Sequence, residues 1–221
     1  TSAVELAAKN THVWAAVGLQ PTESSPFDYD AFLGLAKGKD VVAIGECGLD
    51  YYRMAQGNAD TLKQIQRDLF QNHLKLAAEV KKPLIIHCRD AHEDLSGILV
   101  AFYGEPAKTH ERGVLHCFTG TVDDAKKYLE MGFLISFTGI ITFAGQYDDV
   151  VRMVPLDKML IETDSPLLTP VPYRGKRNHP VYVELVAKRI AELKGVSLEE
   201  VARQTTENAR RLFKLDDPSI L

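Results

Sequence analysis

Four side chains that can bind metals or move protons stand at equivalent places in this sequence, where short apolar runs end. They are Glu46, His87, His116 and Asp164. Two carboxylates and two imidazoles suit zinc, manganese or magnesium, and a metal held by such ligands polarises a phosphoryl or carbonyl oxygen and activates water. A single strand-end histidine is more often a structural residue, and a single Asp before Ser-Pro more often forms a turn. Four such residues at matching positions favour a metal site instead.

Three cysteines, Cys47, Cys88 and Cys117, each directly follow one of these candidate ligands. A zinc site that uses both neighbours is disfavoured, because consecutive side chains of a strand point to opposite faces. We therefore expect the cysteines to pack as small apolar residues. Their odd number and wide spacing are typical of free thiols in a reducing compartment, which indicates the cytoplasm.

A basic segment, residues 172–178, follows the last apolar run of a chain whose formal net charge is −4. It could be only a solvated loop, but positive charge confined to one place favours local recognition of phosphates. Aromatic side chains could stack on nucleic-acid bases. The candidate substrate-binding residues are Arg174, Lys176 and Arg177 for phosphates, Tyr51 and Tyr173 for stacking, and Arg53 and Arg89 for further positive charge.

The composition is that of an ordinary folded domain, with 45% hydrophobic and 25% charged residues in a chain of 221. It excludes collagen, disorder and a disulfide scaffold. No apolar run reaches the roughly 18–20 residues that a membrane-spanning helix needs, so we expect no membrane partner. The mild acidity argues against a protein that is held on nucleic acid by bulk charge alone.

Short apolar runs alternate with longer segments of helical period along the whole chain. The runs predict six strands, at 13–19, 41–46, 83–88, 113–118, 133–138 and 158–164. The helical pattern predicts helices at 2–9, 60–81, 121–131, 181–194 and 197–213. Because no linker or repeat interrupts the alternation, we predict one α/β domain, residues 1–221.

The positions of the candidate ligands decide between two α/β architectures. A doubly wound Rossmann sheet needs a Gly-rich turn after its first strand, and Leu19-Gln20-Pro21-Thr22 is not one. A (β/α)8 barrel gathers residues from the C-terminal ends of its strands in one pocket, as the candidate ligands require. We therefore predict a TIM-like (β/α)8 barrel. Since only six strands are found, we expect two strands and one helix upstream of Thr1, which makes the domain N-terminally incomplete.

Five segments carry a specific resemblance in their order and residues. They read GECGLDYY at 45–52, HCRDA at 87–91, HCFTG at 116–120 and ETDSP at 162–166, followed by residues 172–180. Together they resemble the TatD family of metal-dependent deoxyribonucleases, in the amidohydrolase-type barrel superfamily. The segments span nearly the whole chain.

The resemblance implies a TIM-like barrel with two divalent metal ions, which are zinc, magnesium or manganese. It also implies hydrolysis of DNA phosphodiester bonds by a metal-activated water. By the family's motifs, Glu46 bridges the metals and His87 and His116 bind one of them. Asp164 binds the other metal and holds the attacking water. Glu46 and Asp164 are therefore the catalytic candidates, and all four residues are candidate metal ligands.

Three positions depart from the family's usual pattern. The chain has no His-x-His pair, which in the family binds the metal shared with Asp164. Many relatives carry a histidine after the first strand, where this chain reads Gly18-Leu19-Gln20-Pro21, and His179 stands where the family commonly has Glu. The metal held by Asp164 thus lacks its usual imidazoles, and we expect that only one of the two metals is well bound.

Three functions remain open at this point. The first is a metal-dependent DNA hydrolase. The second is another amidohydrolase-type enzyme that acts on an amide, lactone or phosphotriester, and the basic residues at 174–177 disfavour these neutral substrates. The third is a catalytically weak protein that binds metal or nucleic acid, which the missing imidazoles favour.

Overall fold

One parallel sheet of six strands runs through the computed structural model, which describes residues 3–23, 25–52, 54, 58–104 and 111–215. The strands are β1 (Ala15–Val17), β2 (Val41–Asp50), β3 (Leu84–Arg89), β4 (Gly113–Leu115), β5 (Phe133–Phe137) and β6 (Met159–Ile161). Their order in the sheet is their order in the chain, and every neighbouring pair is parallel. A doubly wound sheet reverses its strand order at a switch point, so the sequential order indicates a barrel.

Helices connect the strands and cover the sheet. The α-helices of the described residues are α1 (Ala3–Lys9), α2 (Tyr29–Ala36), α3 (Ala59–Val80), α4 (His92–Tyr103), α5 (Val122–Glu130), α6 (Asp148–Met153), α7 (Val183–Lys194) and α8 (Leu198–Phe213). Short 3₁₀ helices lie at Gly139–Thr142, Gly145–Tyr147, Leu156–Lys158 and Pro180–Tyr182. Thr121 and Asp124 form a reciprocal capping box that starts α5, and the Ser197 side chain caps α8.

The sheet is curled. Residues at its two outer edges border the same apolar cavity, which shows that the edges approach each other. This cavity has a volume of about 530 Å³ and lies between Trp14, just before β1, and Ile161, at the end of β6. Ala187 of α7 and Ala202 of α8 also line it. Within the described residues, β1 and β6 each pair with one strand only.

The inner side chains of the curled sheet form layers, because side chains alternate along a strand. Four strand segments each carry an apolar residue and, two positions later, a polar one. The apolar layer consists of Ile85, Val114, Leu134 and Leu160, which pack together with residues of α8. The polar layer consists of His87, His116, Ser136 and Glu162. The apolar layer therefore packs next to the polar layer, whose residues lie toward the C-terminal ends of the strands.

The other face of the sheet packs against the surrounding helices. Large side chains there, including Phe70 of α3 and Tyr128 of α5, are fully excluded from solvent. None of the described helices combines the length and the apolar character that crossing a membrane requires.

All six predicted strands are present, but the predicted end of β2 is wrong. The strand does not end at Glu46 and continues to Asp50, because its last residues pair with β3 beyond a shift in register. The strand β6 ends at Ile161, so Asp164 follows it in a loop. The predicted helix at 2–9 is described from Ala3 onward, and Ser2 lies outside the described residues. The sequence pattern does not predict the short helices α2 and α6, and the two upstream strands stay a prediction.

Candidate metal centre

Three of the four candidate ligands meet at the C-terminal end of the sheet. Glu46 Oε1 lies 3.0 Å from His87 Nδ1 and 3.7 Å from His116 Nε2. One ligand atom from each residue lies within 4.8 Å of the other two, so a single cation can contact all three. The residues belong to β2, to β3 and to the position after β4, and the parallel sheet thus brings together ligands that are distant in sequence.

A bulge in β2 brings Glu46 into the site. The register between β2 and β3 shifts between Ile44 and Cys47, which leaves Gly45 and Glu46 outside the regular pairing. Gly45 has a φ of +154°, and a Cβ atom there would stand 2.6 Å from Ile85 O. Only glycine fits this position, so the Gly-Glu pair is the local cause of the carboxylate's orientation.

Each imidazole of the cluster has its second ring nitrogen on a carboxylate. His87 Nε2 lies 2.9 Å from Asp50 Oδ2, and His116 Nδ1 lies 2.6 Å from Glu162 Oε2. Glu162 also accepts a hydrogen bond of 2.8 Å from Cys117 N. Metal-binding histidines in proteins characteristically have such a partner, because it fixes the tautomer and the orientation of the ring.

These contacts shift the pKa values of the cluster. Burial lowers the pKa of His116, but the hydrogen bond and charge of Glu162 outweigh burial and raise this pKa to about 9. Burial likewise lowers the pKa of His87, and its contacts with Glu46 and Asp50 raise it above the ordinary value. Burial raises the pKa of Glu46, whereas the two histidines lower it below its usual range. A metal ion at these imidazoles therefore competes with protons.

Asp164 lies at the margin of the three-residue cluster. Its Oδ1 is 3.9 Å from His116 Nε2. Its φ of +55° is a left-handed conformation that Asp tolerates better than most residues, and this conformation turns the chain after β6. Burial raises the pKa of Asp164, and the net effect of the nearby charges leaves it raised. A carboxylate with a raised pKa beside metal ligands is suited to accept a proton from water.

Gln20, one of the departures from the family pattern, contacts the cluster directly. Its Nε2 donates a hydrogen bond of 2.7 Å to Glu46 Oε2. The residue before it is anchored to a buried side chain. Leu19 N donates to His73 Nε2 at 2.9 Å, and His73 Nδ1 lies 2.9 Å from Leu69 O. A neutral donor thus fixes the carboxylate oxygen that faces away from His87.

The basic segment 172–178 is tied to the chain around Asp164. Asn178 is buried, and its Nδ2 donates to Thr163 O at 2.7 Å and to Leu167 O at 2.6 Å. Its backbone N donates to Pro166 O at 3.1 Å. The end of the segment is therefore held beside the chain that carries Asp164.

The three predicted phosphate-binding cations on this segment are Arg174, Lys176 and Arg177, and all three are exposed. Within the described residues none of them forms an ion pair with a carboxylate. The Arg174 guanidinium lies 3.6 Å from the Phe143 ring centre, and Lys176 Nζ lies 5.8 Å from the Tyr173 ring centre. Their positive charge is therefore available to a ligand.

The remaining predicted substrate contacts differ in exposure. The Tyr51 hydroxyl donates to Asp94 Oδ2 at 2.7 Å, and its ring packs against the core. Arg89 is exposed, and its guanidinium lies 3.5 Å from the ring centre of Tyr52, which is itself exposed. Arg53 lies outside the described residues. Tyr52 is thus the exposed aromatic side chain after β2.

The cysteines are not ligands of the three-residue cluster. Cys47 and Cys88 are buried in the core, as predicted, and burial raises the pKa of Cys88 to about 12. His92 Nδ1 lies 3.3 Å from Cys88 Sγ and 3.1 Å from the Tyr128 hydroxyl. His92 therefore packs on the face of β3 opposite His87.

Sequence reasoning missed the two carboxylates that hold the imidazoles. Asp50 follows Glu46 by four positions, and Glu162 precedes Asp164 by two. The second spacing places Glu162 and Asp164 on one face of the predicted strand 158–164, so this signal was present in the sequence. Asp50 lies beyond the predicted end of the strand 41–46, and the alternation did not mark it. Nothing in the sequence shows which carboxylate pairs with which ring.

Comparisons with known proteins agree with this geometry. The sequence model of the family described as TatD related DNase matches residues 1–214. The uncharacterized metal-dependent hydrolase YcfH of Escherichia coli K12 is 44% identical over 215 residues, which cover 96% of this chain and 78% of that protein. The 3'-5' ssDNA/RNA exonuclease TatD of Salmonella typhimurium is 36% identical over 225 residues, which cover 96% of this chain and 82% of that protein.

A solved structure agrees at the level of the fold. The crystal structure of YJJV, a TatD homologue from Escherichia coli, matches with a TM-score of 0.82 at 28% identity, over 96% of this chain and 81% of that one. Together with the sequential strand order, this match confirms the predicted α/β TIM-like barrel fold.

Proposed function

Because the chain belongs to the family of TatD-related DNases, we propose that it hydrolyses DNA phosphodiester bonds with divalent metal at the cluster of Glu46, His87 and His116. The observation that carries this proposal is the convergence of three ligand atoms within 4.8 Å of one another. Each imidazole in that cluster is backed by a carboxylate, an arrangement that is characteristic of metal-binding histidines.

The donor set fits a divalent cation such as zinc, manganese or magnesium. His87 and His116 would supply nitrogen and Glu46 a carboxylate to one ion, and Asp164 would hold a second. A divalent ion bound there would polarise a phosphoryl oxygen and lower the pKa of water. Among the described residues, Glu46, His87 and His116 form the one group of three candidate ligands, and Asp164 is outside it, so the second ion is proposed to bind more weakly.

The protein's own groups have distinct roles in the proposed reaction. Asp50 and Glu162 orient the two rings, and Gln20 holds Glu46. Asp164 would orient the attacking water and accept its proton, a role that the pKa raised by burial supports.

Three features support a polyanionic substrate. The exposed cations Arg174, Lys176 and Arg177 lie on a segment that is tied to the residues beside Asp164. Arg89 adds an exposed guanidinium on the side of β3. The Salmonella relative is named a single-stranded DNA and RNA exonuclease.

We propose the cytoplasm as the location of this protein, since all three of its cysteines are free thiols.

The direct test is hydrolysis of single- and double-stranded DNA by the purified protein with added magnesium, manganese or zinc. We expect EDTA to abolish activity and His116→Ala to lower it about 100-fold or more, because the metal supplies most of the charge stabilisation. His12→Asn is the matched control. His12 is an exposed histidine before β1 with a φ of +64°, a conformation that Asn also adopts.

The outcomes separate the alternatives. Hydrolysis that persists in EDTA and in His116→Ala contradicts the metal mechanism. Metal binding without hydrolysis of any nucleic acid contradicts the nuclease and favours either a hydrolase of another substrate or a metal- or nucleic-acid-binding protein. Loss of activity in His12→Asn would show that the histidine substitutions act through folding rather than through the site.

A further inference from the structure

The buried face of α3 carries a polar side chain among apolar ones. Phe70, Leu74 and Ala77 are buried on this face, and Gln66 precedes Phe70 by one turn of the helix. Gln66 is only 6% exposed. Because a buried amide is costly unless its donor and its acceptor are hydrogen-bonded, the partners of Gln66 explain why it is there.

The Gln66 amide binds the main chain of Asp50, at the end of β2. Asp50 N donates to Gln66 Oε1 at 2.8 Å, and Gln66 Nε2 donates to Asp50 O at 3.0 Å. On the other side of β2, Tyr51 N donates to Arg89 O of β3 at 2.9 Å. In the described residues the pairing of β1 with β2 ends at Ile44. At Asp50 the Gln66 amide therefore binds β2 as a peptide group of a neighbouring strand would.

Asp50 links this contact to the metal centre. Its Oδ2 lies 2.9 Å from His87 Nε2, and its Oδ1 accepts a hydrogen bond of 2.9 Å from Tyr52 N. The other ring nitrogen, His87 Nδ1, lies 3.0 Å from Glu46 Oε1. The Asp50 carboxylate thus orients the ring, and the place of this carboxylate depends on the main chain that Gln66 holds.

The same face of α3 holds a second segment of the site by its main chain. His73 follows Gln66 by seven positions, which is two turns, and its Nε2 accepts from Leu19 N at 2.9 Å. Leu19 directly precedes Gln20, whose side chain donates to Glu46 Oε2. The helix therefore binds the main chain at two points, and a residue at or next to each point contacts a candidate metal ligand.

We propose that Gln66 is a positioning residue of the metal centre, which acts through Asp50 on His87. This inference rests on the metal centre of the proposed function, and it does not depend on the substrate. The apolar residues of α3 anchor the helix in the core, Gln66 fixes the end of β2 to the helix, and Asp50 fixes the ring. Without the two hydrogen bonds of Gln66, the His87 ring loses its fixed orientation toward a cation.

Cobalt(II) is the probe for the test, because its visible absorption depends on the geometry of its ligands. Gln66→Met keeps the length of the side chain and removes both hydrogen bonds. We expect it to weaken cobalt binding about tenfold, and to change the absorption spectrum of the cobalt-saturated protein. Gln66→Asn retains an amide on a shorter side chain and should change both quantities in the same direction by a smaller factor.

A double-mutant cycle separates positioning from a general loosening of the fold. Asp50→Ala removes the carboxylate on His87 and keeps the main chain that Gln66 binds. Because coupled residues are not additive, we expect Gln66→Met to weaken cobalt binding by less than about twofold when Asp50→Ala is already present. An equal loss of affinity with and without Asp50→Ala would overturn the proposal.

Asn208→Leu is the matched control for the loss of a buried amide. Asn208 is fully buried on α8, and its Nδ2 donates to Leu156 O at 2.9 Å and to Met159 O at 2.8 Å, at the start of β6. We expect Asn208→Leu to lower the Tm and to leave the cobalt affinity and spectrum unchanged. Thermal unfolding of every variant without metal gives the loss of stability. Weaker cobalt binding in Asn208→Leu would attribute the effect to lost stability and overturn the proposal.

Failure of this proposal is distinct from failure of the proposed function. A wild-type cobalt affinity and spectrum in Gln66→Met and Gln66→Asn overturn the positioning role even if DNA is hydrolysed. Weaker binding that Asp50→Ala suppresses supports this role even if no nucleic acid is hydrolysed. Equal binding of cobalt by the wild type and His116→Ala overturns the metal centre itself, and the positioning role with it.

Discussion

The second ring nitrogens of His87 and His116 show how single residues prepare the metal centre. Each nitrogen faces a carboxylate, Asp50 or Glu162, which leaves the other nitrogen directed toward Glu46. Glu162 is the more constrained partner, because it also accepts from the Cys117 backbone. The tautomer of His116 therefore depends on one side chain.

We expect Glu162→Gln to weaken metal binding about 10- to 100-fold with the fold retained. The amide can still accept from Cys117 N, but it then presents its NH2 group to His116 Nδ1. This favours the tautomer that carries its proton on Nε2, the atom that should bind the metal. Isothermal titration calorimetry with zinc or manganese measures the change.

Glu111→Gln is the control for this substitution. Glu111 is a mostly buried carboxylate that pairs with Lys158 and Arg211 away from the cluster. We expect it to leave metal affinity within about twofold of the wild type. Equal affinity of Glu162→Gln and the wild type would contradict the role of Glu162.

His73 makes the stability of the protein sensitive to acid. Burial lowers its pKa to about 4, although a hydrogen bond with the Leu69 backbone opposes this. The folded state keeps the ring neutral, whereas the unfolded chain protonates it near its ordinary pKa of 6.5. Its contribution to stability is thus complete above about pH 6.5 and is lost as the pH falls toward 4.

The expected loss is roughly 3 kcal/mol in the free energy of unfolding over this pH range. Urea unfolding of the wild type and of His73→Gln at several pH values measures it, because the other titrating groups are common to both proteins. We expect His73→Gln to show a shallower pH dependence. Parallel pH dependences of the two proteins would exclude His73 as the cause.

At the scale of elements, the segment after β6 is held by one buried side chain. Asn178 donates to two backbone carbonyls beside Asp164, and its own Oδ1 accepts from His179 N. The cations at 174, 176 and 177 lie on the part of the chain that this residue closes. Under the proposed function, a substitution of Asn178 changes substrate binding without touching the substrate.

We expect Asn178→Ala to lower the free energy of unfolding by about 2–4 kcal/mol, because it leaves two carbonyls without a donor. The KM for DNA should rise several-fold as the basic segment detaches, and the metal affinity of the cluster should stay unchanged. Kinetics and calorimetry together separate these effects. Arg174→Ala is the matched variant, since it should raise KM without the loss of stability. Unchanged KM in both would contradict the role of the segment.

At the scale of the whole molecule, a net charge of −4 is compatible with a polyanionic substrate only if positive charge is placed locally. Such positive charge is present where the candidate ligands meet. Arg89 is exposed at the end of β3, and the basic segment is tied to the chain around Asp164. The same edge gathers the carboxylates of Glu46, Asp50, Glu162 and Asp164, and their negative charge favours a divalent cation.

We expect metal to stabilise the folded protein, because the unfolded chain does not hold these ligands together. At about 100 times its dissociation constant, zinc or manganese should add roughly 2.7 kcal/mol to the free energy of unfolding. This corresponds to a rise in Tm of about 5–10 °C for a chain of this size. Differential scanning calorimetry measures the shift, which EDTA should reverse. A shift of equal size in His116→Ala would contradict binding at this cluster.

The sequence alone determined the alternation of six strands with helices and the four candidate ligands, because hydrophobic period and residue type are local properties. It also placed Cys47 and Cys88 in the core from the alternation of strand side chains. Only the tertiary structure decided that β2 continues past Glu46, because a bulge depends on pairing with β3. It likewise decided the partners of the imidazoles, since Glu162 reaches His116 across 46 residues of chain. Such contacts are set by the relative placement of strands in the curled sheet, and no single segment of the sequence encodes that placement.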